Sequence, residues 1–182
     1  APFFATQFLG AFNDNVFRNG LVILITFKGV HVSGMNASQL ANVAGAMFIL
    51  PFFLFSATAG QLADKYEKSG LFRRIKFLEV VLMVLAAIGF ATESYVALLF
   101  LLFLMGFQST LFGPVKYAYL PQQLATHELI GGNALVESGT YVAIILGLLL
   151  GGVSVTFESS NHSFVSLCLV GIAVAGYLTS RA

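Results

Sequence analysis

Apolar residues fill this chain in six long blocks separated by short polar breaks. The blocks run Phe3–Phe27, Ala37–Ala63, Leu71–Thr92, Tyr95–Leu120, Glu128–Phe157 and Ser163–Arg181. Each is close to or above the roughly 20 residues that a helix needs to cross a bilayer. The breaks are short, so neighbouring helices run antiparallel. Lys28–Gly34 reads as a turn-rich loop, and Thr126 is the expected N-cap of the fifth helix. The pattern predicts an all-α membrane protein, one bundle of six transmembrane helices over residues 1–182.

Composition excludes the alternative of buried helices in a soluble domain. The chain is 58% hydrophobic and 9% charged, whereas soluble domains average about 25% charged residues. The net charge of +1 and the lack of a basic patch give no reason to expect nucleic acid. Cys168 is the single cysteine and lies in an apolar run, so no intrachain disulfide forms and its ordinary use is as a small helix residue. Soluble-enzyme motifs are missing, and the acyltransferase pattern of His followed five residues later by Asp is missing too. His31, His127 and His162 are followed there by Asn36, Gly132 and Leu167. No enzyme, metal site or cofactor is expected. The start at Ala1-Pro2 carries no leader, and the end at Arg181-Ala182 falls where a helix leaves the membrane, so the chain reads as half of a larger membrane protein.

Lys and Arg give an orientation. Lys65, Lys68, Arg73, Arg74 and Lys76 cluster between the second and third blocks, and the opposite loops carry only Lys28. The positive-inside rule places that cluster, and with it the amino terminus, in the cytoplasm. The sequons at Asn36 and Asn161 then fall outside.

Charge inside the blocks is the chemical signal. The first block reads Phe12-Asn13-Asp14-Asn15-Val16-Phe17-Arg18 at its centre. A charge at membrane depth costs about 2.5–3.5 kcal/mol on insertion scales, so it faces a cavity, a pathway or a partner. Asp14 and Arg18 are four apart and share a helix face, where they can pair. Asn13 and Asn15 add hydrogen bonds. This patch suits a polar substrate group or a coupling cation, proton or sodium; a packing lock is the alternative. Lys116 follows Gly113-Pro114, where a kink or break is expected. It has three possible uses: binding phosphate or carboxylate, pairing with Asp14 or Glu137, or snorkelling to the interface. Glu137 is too deep for a helix-end carboxylate, and Glu79 is a lesser candidate of the same kind. Glu93, Glu128 and Glu158 read as solvated helix ends. Gly147, Gly151 and Gly152 form a small-residue face for close helix contact. Gly10–Phe17 faintly repeats in Gly106–Phe112, with opposite crossing directions, as an inverted three-plus-three repeat requires.

The segment Gly60-Gln61-Leu62-Ala63-Asp64-Lys65-Tyr66, followed by Arg73-Arg74, resembles the signature between the second and third helices of the major facilitator superfamily. The stretch after Tyr66 is longer than usual, so the roles of Arg73 and Arg74 carry over less securely. The resemblance implies that this chain is the amino-terminal half of such a fold. It also implies that Gly60 permits close helix contact and that Asp64, with Arg73 and Arg74, serves a conformational switch. "TQFLGAFNDNVFRN", "FGPVKYAYLPQQL" and "GGNALVESGTYVAIILG" resemble the bacterial lysophospholipid transporter family, most of all the version fused to an acyltransferase and an acyl-carrier-protein synthetase. That likeness implies a lysophospholipid substrate crossing the inner membrane for re-acylation inside. The expected partners are membrane lipids, a second six-helix half and an acyltransferase. Asp14, Lys116 and Glu137 fall on polar positions of the pattern. Two alternatives stand beside it: a transporter of another amphipathic or anionic solute, and a membrane anchor for an acyltransferase.

Overall fold

Long runs of Leu, Phe, Ala and Val leave the backbone no partner but itself in a membrane, and helices satisfy every amide internally. The computed structural model describes residues 2–32, 34–156 and 163–181, and among these it forms six α-helices. They are α1 (Pro2–Phe27), α2 (Ala37–Lys65), α3 (Lys68–Ala91), α4 (Tyr95–Gln123), α5 (Leu129–Thr156) and α6 (Ser163–Arg181). The expected blocks match these closely. Phe157, Glu158, Asn161 and His162, which sequence reading placed at or beyond the end of the fifth block, lie outside the described residues.

Local chemistry sets the boundaries. Asn36 and Gln39 cap α2 reciprocally, each side chain accepting from the other's backbone N–H at 3.0 and 2.9 Å. Glu67 caps α3 by accepting from the N–H groups of Ser69 and Gly70 at 2.8 and 2.5 Å. Those bonds hold its carboxyl below the usual carboxylate range. Thr126 is not the N-cap expected of it. It opens a 3₁₀ turn, Thr126–Glu128, in which the Glu128 carboxylate takes the Ala125 N–H at 3.0 Å. Pro114 does not break α4 either. The helix runs unbroken through Pro114 and Pro121, because neighbouring helices tolerate the lost donor.

Packing is pairwise. α1 lies along α5 and α2 along α4, while α6 meets both α1 and α3, and α3 also meets α4. Glycines bring the two long pairs close. A Cβ on Gly147 would stand 2.8 Å from the Phe12 carbonyl oxygen, and one on Gly151 would stand 2.9 Å from Gly20 N and Val16 O. A Cβ on Gly106 of α4 would collide with the Phe48 carbonyl oxygen of α2. The two glycines aligned by the faint repeat therefore do different work: Gly106 admits a backbone, whereas Gly10 faces the Lys76 ammonium. The core is built on Phe17, Leu21, Met83, Phe90, Leu102 and Met105, with Phe17 edge-on to Phe90 at 5.9 Å.

Alternation of the helices is visible at both ends. Lys28, after α1, pairs with Glu93, after α3, at 2.8 Å, so these loops share one end. At the other end Phe3 stacks on Phe72 and Tyr119, and Thr6 bonds Thr179 at 2.9 Å. Lys65, Lys68, Arg73 and Arg74 sit at that second end, but Lys76 does not belong with them. It lies inside α3, 1% exposed, and drops out of the loop charge.

Four helices (α2, α4, α5 and α6) are long and apolar enough to cross a membrane by length and composition. The other two carry most of the buried charge, Asp14 in α1 and Lys76 and Glu79 in α3, while α4 adds Lys116.

Candidate functional site

Where α1, α3, α4 and α5 come together, with Phe52 of α2, they line a half-open cavity of about 190 Å³. Gln7, Gly10 and Asp14 of α1 line it, with Lys76 and Glu79 of α3, Gln108, Ser109 and Lys116 of α4, and Thr140 of α5; Phe52 and Phe112 add apolar wall. The lining positions of α1 at 7, 10 and 14 are three and four apart, which puts them on one helix face.

Asp14 faces α4, where the Ser109 hydroxyl donates to Oδ2. Its Oδ1 is buried and has no hydrogen-bond partner. Among the described residues the pairing with Arg18 that helix spacing allows does not form. The Arg18 guanidinium instead donates to Asn15 Oδ1 at 2.9 Å and lies over the Phe48 ring at 5.3 Å. Asn15, three residues before Arg18, offers a nearer acceptor on the face that turns away from α4. Its own amide closes on the Ala11 carbonyl at 2.8 Å. Asn13 is fully buried and donates to Glu79 Oε1 at 3.2 Å, leaving its own Oδ1 without a partner.

Sequence reading ranked Glu79 as a lesser candidate and placed Lys76 in the basic loop, missing that the two pair. Lys76 and Glu79 are each 1% exposed and pair at 2.5 Å, three residues apart on α3. Glu79 also accepts from Asn13 and, at 3.4 Å, from Gln108. Lys76 lies 5.7 Å over the Phe112 ring. The signal was available: Lys76 is eight residues past the start of α3, beyond a loop residue's reach, and Glu79 follows it at pairing distance.

Lys116 pairs with Glu137 at 3.0 Å, one of the partners left open for it. Tyr117 also donates its hydroxyl to Glu137. The lysine is buried, whereas the Glu137 side chain is 40% exposed and stands outside the cavity lining. Within the described residues no ion pair joins Lys116 to Asp14.

The supposed switch residues lie apart from the cavity. Asp64, Arg73 and Arg74 are exposed. Among the described residues nothing approaches within 4 Å of a Cβ built on Gly60, so the close contact expected there is not made among them.

A multi-helix membrane bundle with charges of both signs around an internal cavity is the architecture of a solute carrier rather than of an enzyme. The chain belongs to the Major Facilitator Superfamily, whose family model matches residues 3–181. Among its relatives is the lysophospholipid transporter LplT of Escherichia fergusonii, 28% identical over 96% of this chain and 40% of that protein. The protein of the same name from Citrobacter koseri is 28% identical over 97% of the chain and 40% of the relative. That from Enterobacter sp. is 27% identical, with 97% and 41% covered. The chain thus spans about two fifths of the length of the curated relatives it matches. No solved structure matches it.

Proposed function

We propose that this chain forms the amino-terminal six-helix half of a transporter that moves lysophospholipids across the bacterial inner membrane by alternating access. Lysophosphatidylethanolamine is the substrate the site suits best. One observation carries the reading: Asp14, buried and without an ion pair, shares a cavity with Lys116. A zwitterionic headgroup brings a phosphate for the lysine and an amine for the carboxylate. Glu137 holds Lys116 until the phosphate arrives. The names of the relatives supply the substrate class.

The packing supports a three-plus-three repeat. Exchanging α1–α3 with α4–α6 turns the α1–α5 pair into α4–α2, and α1–α6 into α4–α3, and all four contacts exist. The basic end, with the amino terminus, is assigned to the cytoplasm. There an acyltransferase, fused or separate, would consume the imported lipid. Gly60, Asp64, Arg73 and Arg74 lie on surface that this chain leaves open, which suits contacts made with a second half in only one of two states.

A membrane anchor has no use for a lone buried carboxylate, which ranks that alternative lower. A coupling cation, proton or sodium, at Asp14 is the competing use of the same residue. Asp14→Asn in the full-length protein is the test. A charged hydrogen bond is worth about 1.5–3 kcal/mol, so lysophosphatidylethanolamine uptake into vesicles falls by about tenfold or more, with expression unchanged. Uptake near the wild-type level refutes the reading. Uptake that falls equally for a lysolipid without an amine assigns Asp14 to coupling.

A further inference from the structure

We infer that Lys76 is a second ligand for the anionic group of the cargo, acting beside Lys116; this rests on the lysophospholipid reading of the cavity. Three observations carry it.

The first is donor surplus. An ammonium has three N–H donors. Among the described residues, Lys76 gives one to Glu79, and its ammonium also lies over the Phe112 ring face. Glu79 is saturated by comparison, with Lys76, Asn13 and Gln108 all donating to it. Lys76 can therefore donate to a phosphate oxygen without releasing Glu79.

The second is a cradle of glycines. A Cβ on Gly10 of α1 would stand 2.9 Å from the Lys76 ammonium, and one on Gly176 of α6 would stand 3.2 Å from it. Two helices give up side chains where this one ammonium sits. A pair needed only to hold helices together has no such requirement, and buried ion pairs stabilise little beyond a packed apolar pair.

The third is shared space. Lys76 and Lys116 line the same cavity of about 190 Å³. A phosphate drawn into it finds both lysines in the lining, and Asp14 lines it from α1 for the amine. Each lysine is held by a carboxylate, which keeps the two cations from lining one cavity unpaired.

The test uses the full-length protein and two ligands of equal chain length, lysophosphatidylethanolamine and an uncharged monoacylglycerol. K76M/E79Q removes both charges together, so no orphan charge destabilises the fold. The expected result is a half-saturation concentration for the lysophospholipid raised about tenfold, with monoacylglycerol binding unchanged. Unchanged lysophospholipid binding, or equal loss for both ligands, overturns the inference. Phosphoethanolamine is measured in parallel as a thermal stabiliser. It should raise the wild-type melting midpoint and leave that of K76M/E79Q unmoved. A wild type that is stabilised yet takes no lysophospholipid refutes the lipid reading and leaves Lys76 as an anion ligand. A wild type that is not stabilised overturns the inference itself. Should the double variant not fold, Gly10→Ala crowds the ammonium while keeping its charge; lysophospholipid affinity must fall there too, and its persistence overturns the proposal.

Discussion

Gly106→Ala tests the helix packing that frames the cavity. The added Cβ meets the Phe48 carbonyl oxygen, with the Phe48 carbonyl carbon at 3.1 Å and Pro51 Cγ at 3.2 Å on its other sides. Two of these are backbone atoms of α2, which cannot rotate away, so α2 and α4 must separate. Overpacking of this kind costs about 1–3 kcal/mol. Alanine recovers about 0.5–1 kcal/mol through its better helix propensity. The same exchange at Gly45 of α2 meets nothing within 4 Å, so only the propensity gain remains. Propensity cancels between the two variants, and their difference reports the clash alone, about 1–3 kcal/mol. Reversible unfolding in mixed micelles, followed by circular dichroism, measures both. Equal stabilities, or a Gly106→Ala protein more stable than Gly45→Ala, would refute the close α2–α4 contact.

Lys116→Ala is expected to impair lysophospholipid uptake more than Lys116→Arg, because Arg keeps the charge and grips phosphate; equal activity of both with wild type assigns Lys116 to anchoring. Cysteine labelling from each side is expected to find position 68 cytoplasmic and position 31 external, and the reverse sinks the orientation. In the same assay Asp64→Asn is expected to raise cytoplasmic access to cavity positions and slow turnover, since alternating states differ by a few kcal/mol; unchanged access removes Asp64 from the switch.

Helix positions were legible because each apolar block is long enough to span and each break is short. Partner choice inside the bundle was less so. Helical periodicity puts Asp14 and Arg18 on one face, but rotamers and rivals decide who bonds, and Asn15 wins the guanidinium. The small-residue face of α5 was read correctly because glycines at 147 and 151, one turn apart, admit a backbone wherever they point. The Lys76–Glu79 pair escaped because a cation near a basic loop looks like part of it. Its burial depends on α1, α4 and α6 closing over it, contacts remote in sequence. Thr126 failed as a cap for a local reason: Glu128 reaches back to the Ala125 N–H and tightens the first turn.

The charges buried in the bundle gather around one cavity, three of them on α1 and α3 and Lys116 on α4. α2, α4, α5 and α6 satisfy the membrane by composition alone. α1 and α3 do not, and they hold Asp14, Lys76 and Glu79, whose burial costs several kcal/mol per ion before any pairing. Pairing offsets this for Lys76 with Glu79, but Asp14 keeps only a hydroxyl partner and leaves one oxygen bare. Apolar residues at these positions would make a more stable bundle. A chain that keeps the charges instead, and lines one cavity with them, is specified for what enters the cavity. On the proposed reading, the entering group brings a positive centre to Asp14 and a negative one to the lysines, as a lysophosphatidylethanolamine headgroup would.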